Sequence, residues 1–216
     1  MNAGYVSVIK ELFPNANIII DRFHLVQLIN RSMNKTRIQV MNQLSKSDNE
    51  DQKKYRRLKR YWKLLLKNNL DISTTEYKYY RLFGQRTEAG IIEEMLAYSP
   101  VLKANYEFYQ SLLNAMTQKN FDAFKHHLEA FIDPLLSNYM RTSINTLKKH
   151  LPYIKHSFIF PYNNGRIEGI NNKIKVRNRV AYGYRNFMNF RNRIFIHFKL
   201  QANELSNKSK PLSKTA

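Results

Sequence analysis

Apolar residues recur every three or four positions along most of this chain, which is the spacing of one face of an α-helix. The first such stripe runs from Tyr5 to Phe13 and stops at Pro14. One short β-branched run, Ile18-Ile19-Ile20, has the composition of a strand. The sequence therefore predicts a mainly α-helical chain with a short β element.

The later helices are predicted in the same way. Apolar stripes indicate helices over about 22–44, 58–66, 91–98, 102–113 and 121–131. Leu151-Pro152 interrupts the next helix, and residues 163–165 form a turn. We expect a helix from Arg166 to Arg179, with its isoleucines facing inward, and a last helix from about Asn186.

The charge of the chain favours a polyanionic partner. Its 216 residues carry a formal net charge of +20. Nucleic acid is the first candidate. An anionic membrane is the second, but no apolar run approaches the about 20 residues of a membrane span, so no membrane partner is expected. The absence of cysteine excludes cysteine-type zinc fingers and disulfide scaffolds, and it fits a cytoplasmic protein.

The positive charge lies in two separate blocks. Residues 46–67 hold nine Lys/Arg and three acids, whereas residues 88–133 hold three Lys and seven acids. The second basic block begins at residue 163. Either block alone could be a solvated helix face. Two blocks in so basic a chain favour a nucleic-acid surface.

Glu168 is a lone acid inside the second basic block. Between residues 163 and 199 it stands among nine Lys/Arg with no other carboxylate. Cations gather phosphates and a carboxylate holds a metal ion, so this pattern is typical of a nuclease-type site. The candidate DNA-binding residues are Arg166, Lys173, Lys175, Arg177, Arg179, Arg185, Arg191 and Arg193.

Each candidate also has a structural interpretation. With Gly165 as N-cap, Glu168 would be the third helical residue, where a carboxylate commonly caps free amides. Asp21 is placed to cap the helix that follows it. His24 is more consistent with a packed histidine than with a metal ligand. Tyr182, Tyr184, Phe187 and Phe190 could stack on bases, although their spacing favours core packing.

Several segments together resemble the C-terminal half of insertion-sequence transposases of the ISL-three family. They are Ala3-Gly4-Tyr5, Phe13-Pro14-Asn15-Ala16, Ile20-Asp21-Arg22-Phe23-His24, Tyr61-Trp62-Lys63-Leu64-Leu65, Asn164-Gly165-Arg166-Ile167-Glu168-Gly169 and Arg179-Val180-Ala181-Tyr182-Gly183-Tyr184-Arg185-Asn186-Phe187. The resemblance covers the chain to about Leu200.

This resemblance implies a ribonuclease-H-like domain with a large helical insertion. In the family, two aspartates and one glutamate hold two divalent cations, Mg²⁺ or Mn²⁺, for DNA strand cleavage and transfer. The glutamate corresponds to Glu168, which would be both a catalytic residue and a metal ligand. No other cofactor-binding residue is expected. The implied segments are 1–21 (end of the core, a helix and the last strand), 22–160 (helical insertion), 161–203 (C-terminal helices with Glu168) and 204–216 (disordered tail).

The chain departs from the family pattern because both aspartates are missing, and Asp21 is not assigned to the triad. One carboxylate cannot hold two cations about 4 Å apart. We therefore expect a truncated transposase that is inactive alone and acts on DNA in the bacterial cytoplasm at the nucleoid, in contact with intact transposase protomers. The alternative is a non-catalytic, basic DNA-binding or assembly module derived from a transposase.

Overall fold

The computed structural model describes residues 4–44, 48–130 and 133–207. They form eleven α-helices, a 3₁₀ turn at Asn69–Asp71 and two short strands. The helices are α1 (Gly4–Leu12), α2 (Arg22–Gln43), α3 (Asn49–Arg60), α4 (Trp62–Leu65), α5 (Glu88–Leu96), α6 (Pro100–Thr117), α7 (Phe121–Glu129), α8 (Asn138–Lys149), α9 (Leu151–Ile159), α10 (Gly165–Val180) and α11 (Phe187–Asn207). The strands are β1 (Lys78–Tyr80) and β2 (Gly84–Arg86). The predicted class, mainly α with a short β element, is confirmed.

A first compact unit ends at Tyr162, and a second begins at Asn163. The expected segment boundaries at 21/22 and 160/161 stay predictions. Helix α11 continues to Asn207 and so includes residues 204–207, which the sequence analysis assigned to the tail. Residues 208–216 of that tail lie outside the described residues. No helix in the described part of the chain has the length and apolarity needed to span a membrane.

Helix α2 is the centre of the first unit and packs against α3, α6 and α8. Its buried stripe includes Leu25, Ile29 and Met33 at four-residue intervals. Two small polar residues, Ser32 and Thr36, are also buried on this helix. Their short side chains let α8 approach closely, as the hydroxyl contact of 2.5 Å between Ser32 and Ser143 shows. The stripe therefore combines apolar burial with satisfied polar groups.

Helix α6 supplies the other large part of the core, and its Tyr109 is fully buried. The Tyr109 hydroxyl lies 2.6 Å from Asn30 Oδ1 and 2.8 Å from the carbonyl oxygen of Leu66. A hydroxyl carries one proton, so these two acceptors share it. Burial raises the pKa of the Tyr109 phenol, which keeps the group protonated. Tyr109 thus joins α6 to α2 and to the end of α4.

The β element is a hairpin of β1 and β2, and it is not the run Ile18–Ile20 that the sequence analysis proposed. Strands β1 and β2 pair antiparallel, with Lys78 opposite Arg86 and Tyr80 opposite Gly84. Their turn ends at Gly84, whose φ of +71° is readily adopted only by glycine. Such three-residue turns with glycine in the left-handed region are common in hairpins.

The prediction of a strand at Ile18–Ile20 was wrong. A strand needs a neighbouring backbone, and here side chains of α9 bind the backbone oxygens instead. His156 Nδ1 lies 2.8 Å from the carbonyl oxygen of Ile18, and the Ser157 hydroxyl donates to the carbonyl of Ile20. The segment is therefore held against a helix rather than in a sheet.

Replacing Tyr109 by Phe tests the polar part of this core. The change keeps the ring and leaves Asn30 Oδ1 and the Leu66 carbonyl without their shared donor. We expect the free energy of unfolding to fall by about 1–3 kcal/mol, measured by urea denaturation. Tyr79→Phe is the control, because Tyr79 is 80% exposed and its loss should change stability by less than about 0.5 kcal/mol. Equal effects of the two changes would contradict this account of the core.

Candidate nucleic-acid interface

The second unit begins with a turn that fixes the start of α10. Asn163 Oδ1 accepts a hydrogen bond of 2.9 Å from the backbone N–H of Gly165. A Cβ on residue 165 would lie 2.9 Å from that same oxygen, so any larger residue there would displace the Asn163 side chain. The backbone N–H of Glu168 donates to the carbonyl of Asn164 at 2.9 Å, which makes Asn164 the N-cap residue. Glu168 is therefore the fourth helical residue rather than the third.

The Glu168 carboxylate is exposed in the first turn of α10. Among the described residues it forms no hydrogen bond and no ion pair. The capping interpretation is thus wrong for its side chain, because the cap lies one residue earlier than expected. What remains is a favourable but weaker interaction between a negative charge and the N-terminal end of the helix dipole. The carboxylate is left available for a ligand.

The cations of α10 fall on two opposite faces. A helix turns by about 100° per residue, so residues seven and eleven positions apart share a face. One face, the acid face, carries Glu168, Lys175 and Arg179; the other, the cleft face, carries Arg166, Lys173 and Arg177. All six side chains are exposed. The sequence analysis grouped these cations together, but one straight duplex cannot contact both faces equally.

The cleft face meets α11 at a small basic cleft. Arg177, Arg193, Ile196 and His197 line a cavity of about 270 Å³. Arg177 Nη2 lies 2.9 Å from Nδ1 of His197. Because arginine can only donate, Nδ1 of His197 is the acceptor. The cleft presents two guanidinium groups and no carboxylate, which is a suitable lining for a phosphate.

The sequence analysis did not select His197. Its spacing of four residues from Arg193 would have placed both side chains on one helix face. The remaining candidates lie elsewhere: Arg185 is exposed before α11, and the Arg191 guanidinium stacks at 5.1 Å from the Phe195 ring centroid. Arg191 therefore points away from the cleft that Arg193 lines.

The aromatic residues of the turn between α10 and α11 divide into two groups. The rings of Tyr184 and Phe190 lie 5.0 Å apart and are half-buried, which confirms packing for this pair. Tyr182 and Phe187 are exposed instead. Tyr182 also has a φ of +54°, which is uncommon outside glycine and marks a sharp turn.

The prediction that the α10 isoleucines face inward was wrong for Ile167 and Ile170, whereas Ile174 is half-buried. Ile167 is 61% exposed, Ile170 is 44% exposed and α10 contains no buried residue. Within the second unit, the contact described above joins α10 to α11 near Arg177, ten residues beyond Ile167 and seven beyond Ile170. An apolar stripe predicts a buried face only where another element lies against it.

The residues present do not fit a pair of divalent cations. No group of three or more potential ligands from His, Cys, Asp and Glu occurs in the parts of the chain that the structure describes. Glu168 provides one hard oxygen donor group, whereas two magnesium ions require several shared carboxylates. Glu168 can therefore contribute to such a centre but cannot form it.

Of the two remaining candidates, Asp21 has a structural role, whereas the His24 side chain is exposed. Asp21 Oδ1 accepts a 2.9 Å hydrogen bond from the backbone N–H of Phe23, which confirms it as the N-cap of α2. The His24 ring makes an edge contact with Phe23, with centroids 5.6 Å apart.

Comparison with known proteins identifies relatives for most of the chain. The model of the ISL-three transposase family, described as "Transposase", matches residues 1–194. A curated transposase for insertion sequence element IS1001 from Bordetella parapertussis is 29% identical over 86% of this chain and 43% of its own length. A Lactococcus lactis subsp. lactis protein named "ATP-dependent protease" is 36% identical over 60% of this chain and 41% of its own length.

The chain thus spans less than half the length of these two curated relatives. No solved structure matches it significantly.

Alanine substitutions at two acids separate a capping role from a free carboxylate. Asp21→Ala removes a cap with a hydrogen bond and should cost about 0.5–2 kcal/mol. Glu168→Ala removes only the interaction with the helix dipole and should cost about 0.3–1 kcal/mol. Thermal unfolding followed by circular dichroism compares the two variants. A loss at Glu168 that exceeds the loss at Asp21 would mean that its carboxylate already binds within the protein.

Proposed function

The chain belongs to the ISL-three family of transposases, and we propose that it acts in the movement of an insertion sequence by binding the phosphate backbone of DNA. The observation that carries this proposal is the second unit, where residues 163–193 carry eight exposed cations and one exposed, unpaired carboxylate, Glu168. Its surface therefore attracts phosphates while keeping one metal-binding group free. Binding of this kind contacts the phosphate backbone and does not depend on the base sequence.

The acid face of α10 is the side that we assign to the DNA. Glu168 shares this face with Lys175 and Arg179, so a phosphate held by the two cations lies on the same side of the helix as the carboxylate. The first turn of a helix is also a rigid place for a ligand. In this proposal Glu168 is the third acid of a ribonuclease-H-like centre that uses Mg²⁺ or Mn²⁺, and the cleft face makes supporting contacts.

The chain alone does not supply the chemistry of strand cleavage. One carboxylate does not balance the charge of two divalent cations. We therefore expect these 216 residues to bind DNA without cutting it, and to depend on the two aspartates of an intact transposase protomer for DDE-type cleavage. The chain and the intact protomer would then act together on DNA, at the bacterial nucleoid in the cytoplasm.

The second candidate function is a non-catalytic DNA-binding or assembly module. The presence of a single carboxylate also favours this candidate, because binding to the DNA backbone requires no carboxylate. The two candidates differ in what Glu168 does once the missing carboxylates are present. The name of the Lactococcus relative adds no third candidate, since the sequence has no pair of glycines with the spacing of a phosphate-binding loop.

DNA binding is tested by the salt dependence of affinity. Each phosphate contact contributes about 0.9 to the slope of log affinity against log salt. Replacing Lys175 and Arg179 together by Gln should lower the slope by about two and should weaken binding to unrelated duplexes equally. Replacing the exposed Lys119 and Lys125 by Gln removes the same charge from the acidic part of the chain. An equal loss in this control, or no binding by the unaltered chain at low salt, would contradict the proposal.

Cleavage is tested with supercoiled plasmid and Mg²⁺ or Mn²⁺. We expect no nicking by the chain alone. In a reconstructed longer transposase that supplies both aspartates, Glu168→Gln should abolish nicking, because an amide lacks the charge that a hard cation requires. Near-normal nicking by that variant would reject Glu168 as a metal ligand and favour the non-catalytic module.

A further inference from the structure

The first unit contains a basic groove, formed in part by the first basic block of the sequence, residues 46–67, in which the sequence analysis named no site residues. It lies where α3 meets the turn between β1 and β2. One cavity of about 490 Å³ is lined by Arg56, Lys59, Arg60, Arg81 and Leu82. An adjoining cavity of about 320 Å³ is lined by Lys53, Arg56, Arg57, Arg81 and Leu82. The two cavities share Arg56, Arg81 and Leu82, and together they form the α3–hairpin groove.

Arg57 fixes the shape of this groove. Its Nε donates to the carbonyl oxygen of Leu82 at 3.0 Å, and its guanidinium carbon lies 4.5 Å from the Phe83 ring centroid. Its Nη1 lies 2.6 Å from a carboxylate oxygen of Glu94. One half-buried arginine thus ties the hairpin turn to α3 and has its charge compensated. The consequence is that Arg81, on the turn, is held beside Arg56 on the helix.

Four other cations of the groove are not compensated, whereas Lys53 is. On α3, Lys53 pairs with Glu50 at 2.6 Å and Lys54 pairs with Asp51 at 3.1 Å. By contrast, Arg56, Lys59, Arg60 and Arg81 form no ion pair with any carboxylate that the structure describes. Folding therefore concentrates like charges in one concave place, which raises the local attraction for an anion.

The dimensions of the groove favour a polymer of phosphates over a single anion. Lys53 and Arg60 are seven residues apart on α3, which corresponds to about 10 Å along the helix axis. This is about the axial rise of three nucleotide steps along one DNA strand, at about 3.4 Å per step. The guanidinium groups of Arg56, Arg60 and Arg81 are suited to bidentate contacts with phosphate oxygens.

We propose that the α3–hairpin groove is a second binding site for the phosphate backbone of duplex DNA, carried by the first unit. The proposal rests on the DNA-binding function inferred above and adds a separate surface to it. Arg56, Arg60 and Arg81 make the phosphate contacts, Lys59 adds positive charge at the rim, and Arg57 is a positioning residue. No contact to a base is required, so the site is independent of sequence.

The test removes two groove charges that have no structural partner. Arg56 and Arg81 are exposed, so Arg56→Gln with Arg81→Gln should leave helicity unchanged by circular dichroism. In titrations of the full chain with a labelled duplex, we expect the log–log salt slope to fall by about two, with equal loss for unrelated duplexes. The matched control is again Lys119→Gln with Lys125→Gln.

The outcomes separate this site from the proposed function. No binding by the unaltered chain would reject both proposals. Normal binding with an unchanged slope in the Arg56/Arg81 variant would reject the groove alone, and so would an equal slope change in the lysine control. If the double variant lost helicity, Arg81→Gln alone would serve, since it removes one charge from the turn and should lower the slope by about one.

Discussion

The first unit depends on the close approach of α2 and α8, which paired hydroxyl groups make possible. Ser32 meets Ser143 at 2.5 Å, and Thr36 meets Ser137 at 2.6 Å. These buried groups satisfy one another, so the hydrogen bonds offset the cost of removing the hydroxyls from water. The same helix then positions α3, because Arg37 Nη1 donates to the carbonyl of Leu58 at 2.9 Å. A chain of contacts therefore leads from the core to the α3–hairpin groove.

Charge is distributed between structural and functional roles. Arg57 and Lys67 each join two elements of the first unit and are paired with an acid, Glu94 and Glu88 respectively, whereas the buried Arg37 joins α2 to α3 through the carbonyl of Leu58. Where cations line the groove or the cleft of the second unit, no acid lines the cavity. The net charge of +20 therefore comes partly from cations that line concave sites and partly from solvated side chains. This arrangement fits a backbone-binding protein of a transposase family.

The sequence predicted what local periodicity determines, and it failed where an element depends on its neighbours. Helix α10 was expected over 166–179 and spans Gly165–Val180. The hairpin was missed because each strand has three residues, too few for an alternating pattern. Ile18–Ile20 has strand composition but is bound by α9, and Ile167 and Ile170 remain exposed. At the site, the residue types were predictable, and helix periodicity gives their division between two faces, whereas the contact of Arg177 with His197 required the backbone.

Photo-crosslinking of the chain to a labelled duplex, followed by mass spectrometry of the peptides, tests the central claim most directly. The account predicts adducts in two regions, residues 163–193 of the second unit and residues 53–81 around the α3–hairpin groove, with any duplex sequence. Added salt should reduce both together, because phosphate contacts release counterions. Adducts concentrated in the acidic stretch 88–133, or adducts that require one particular DNA sequence, would contradict it.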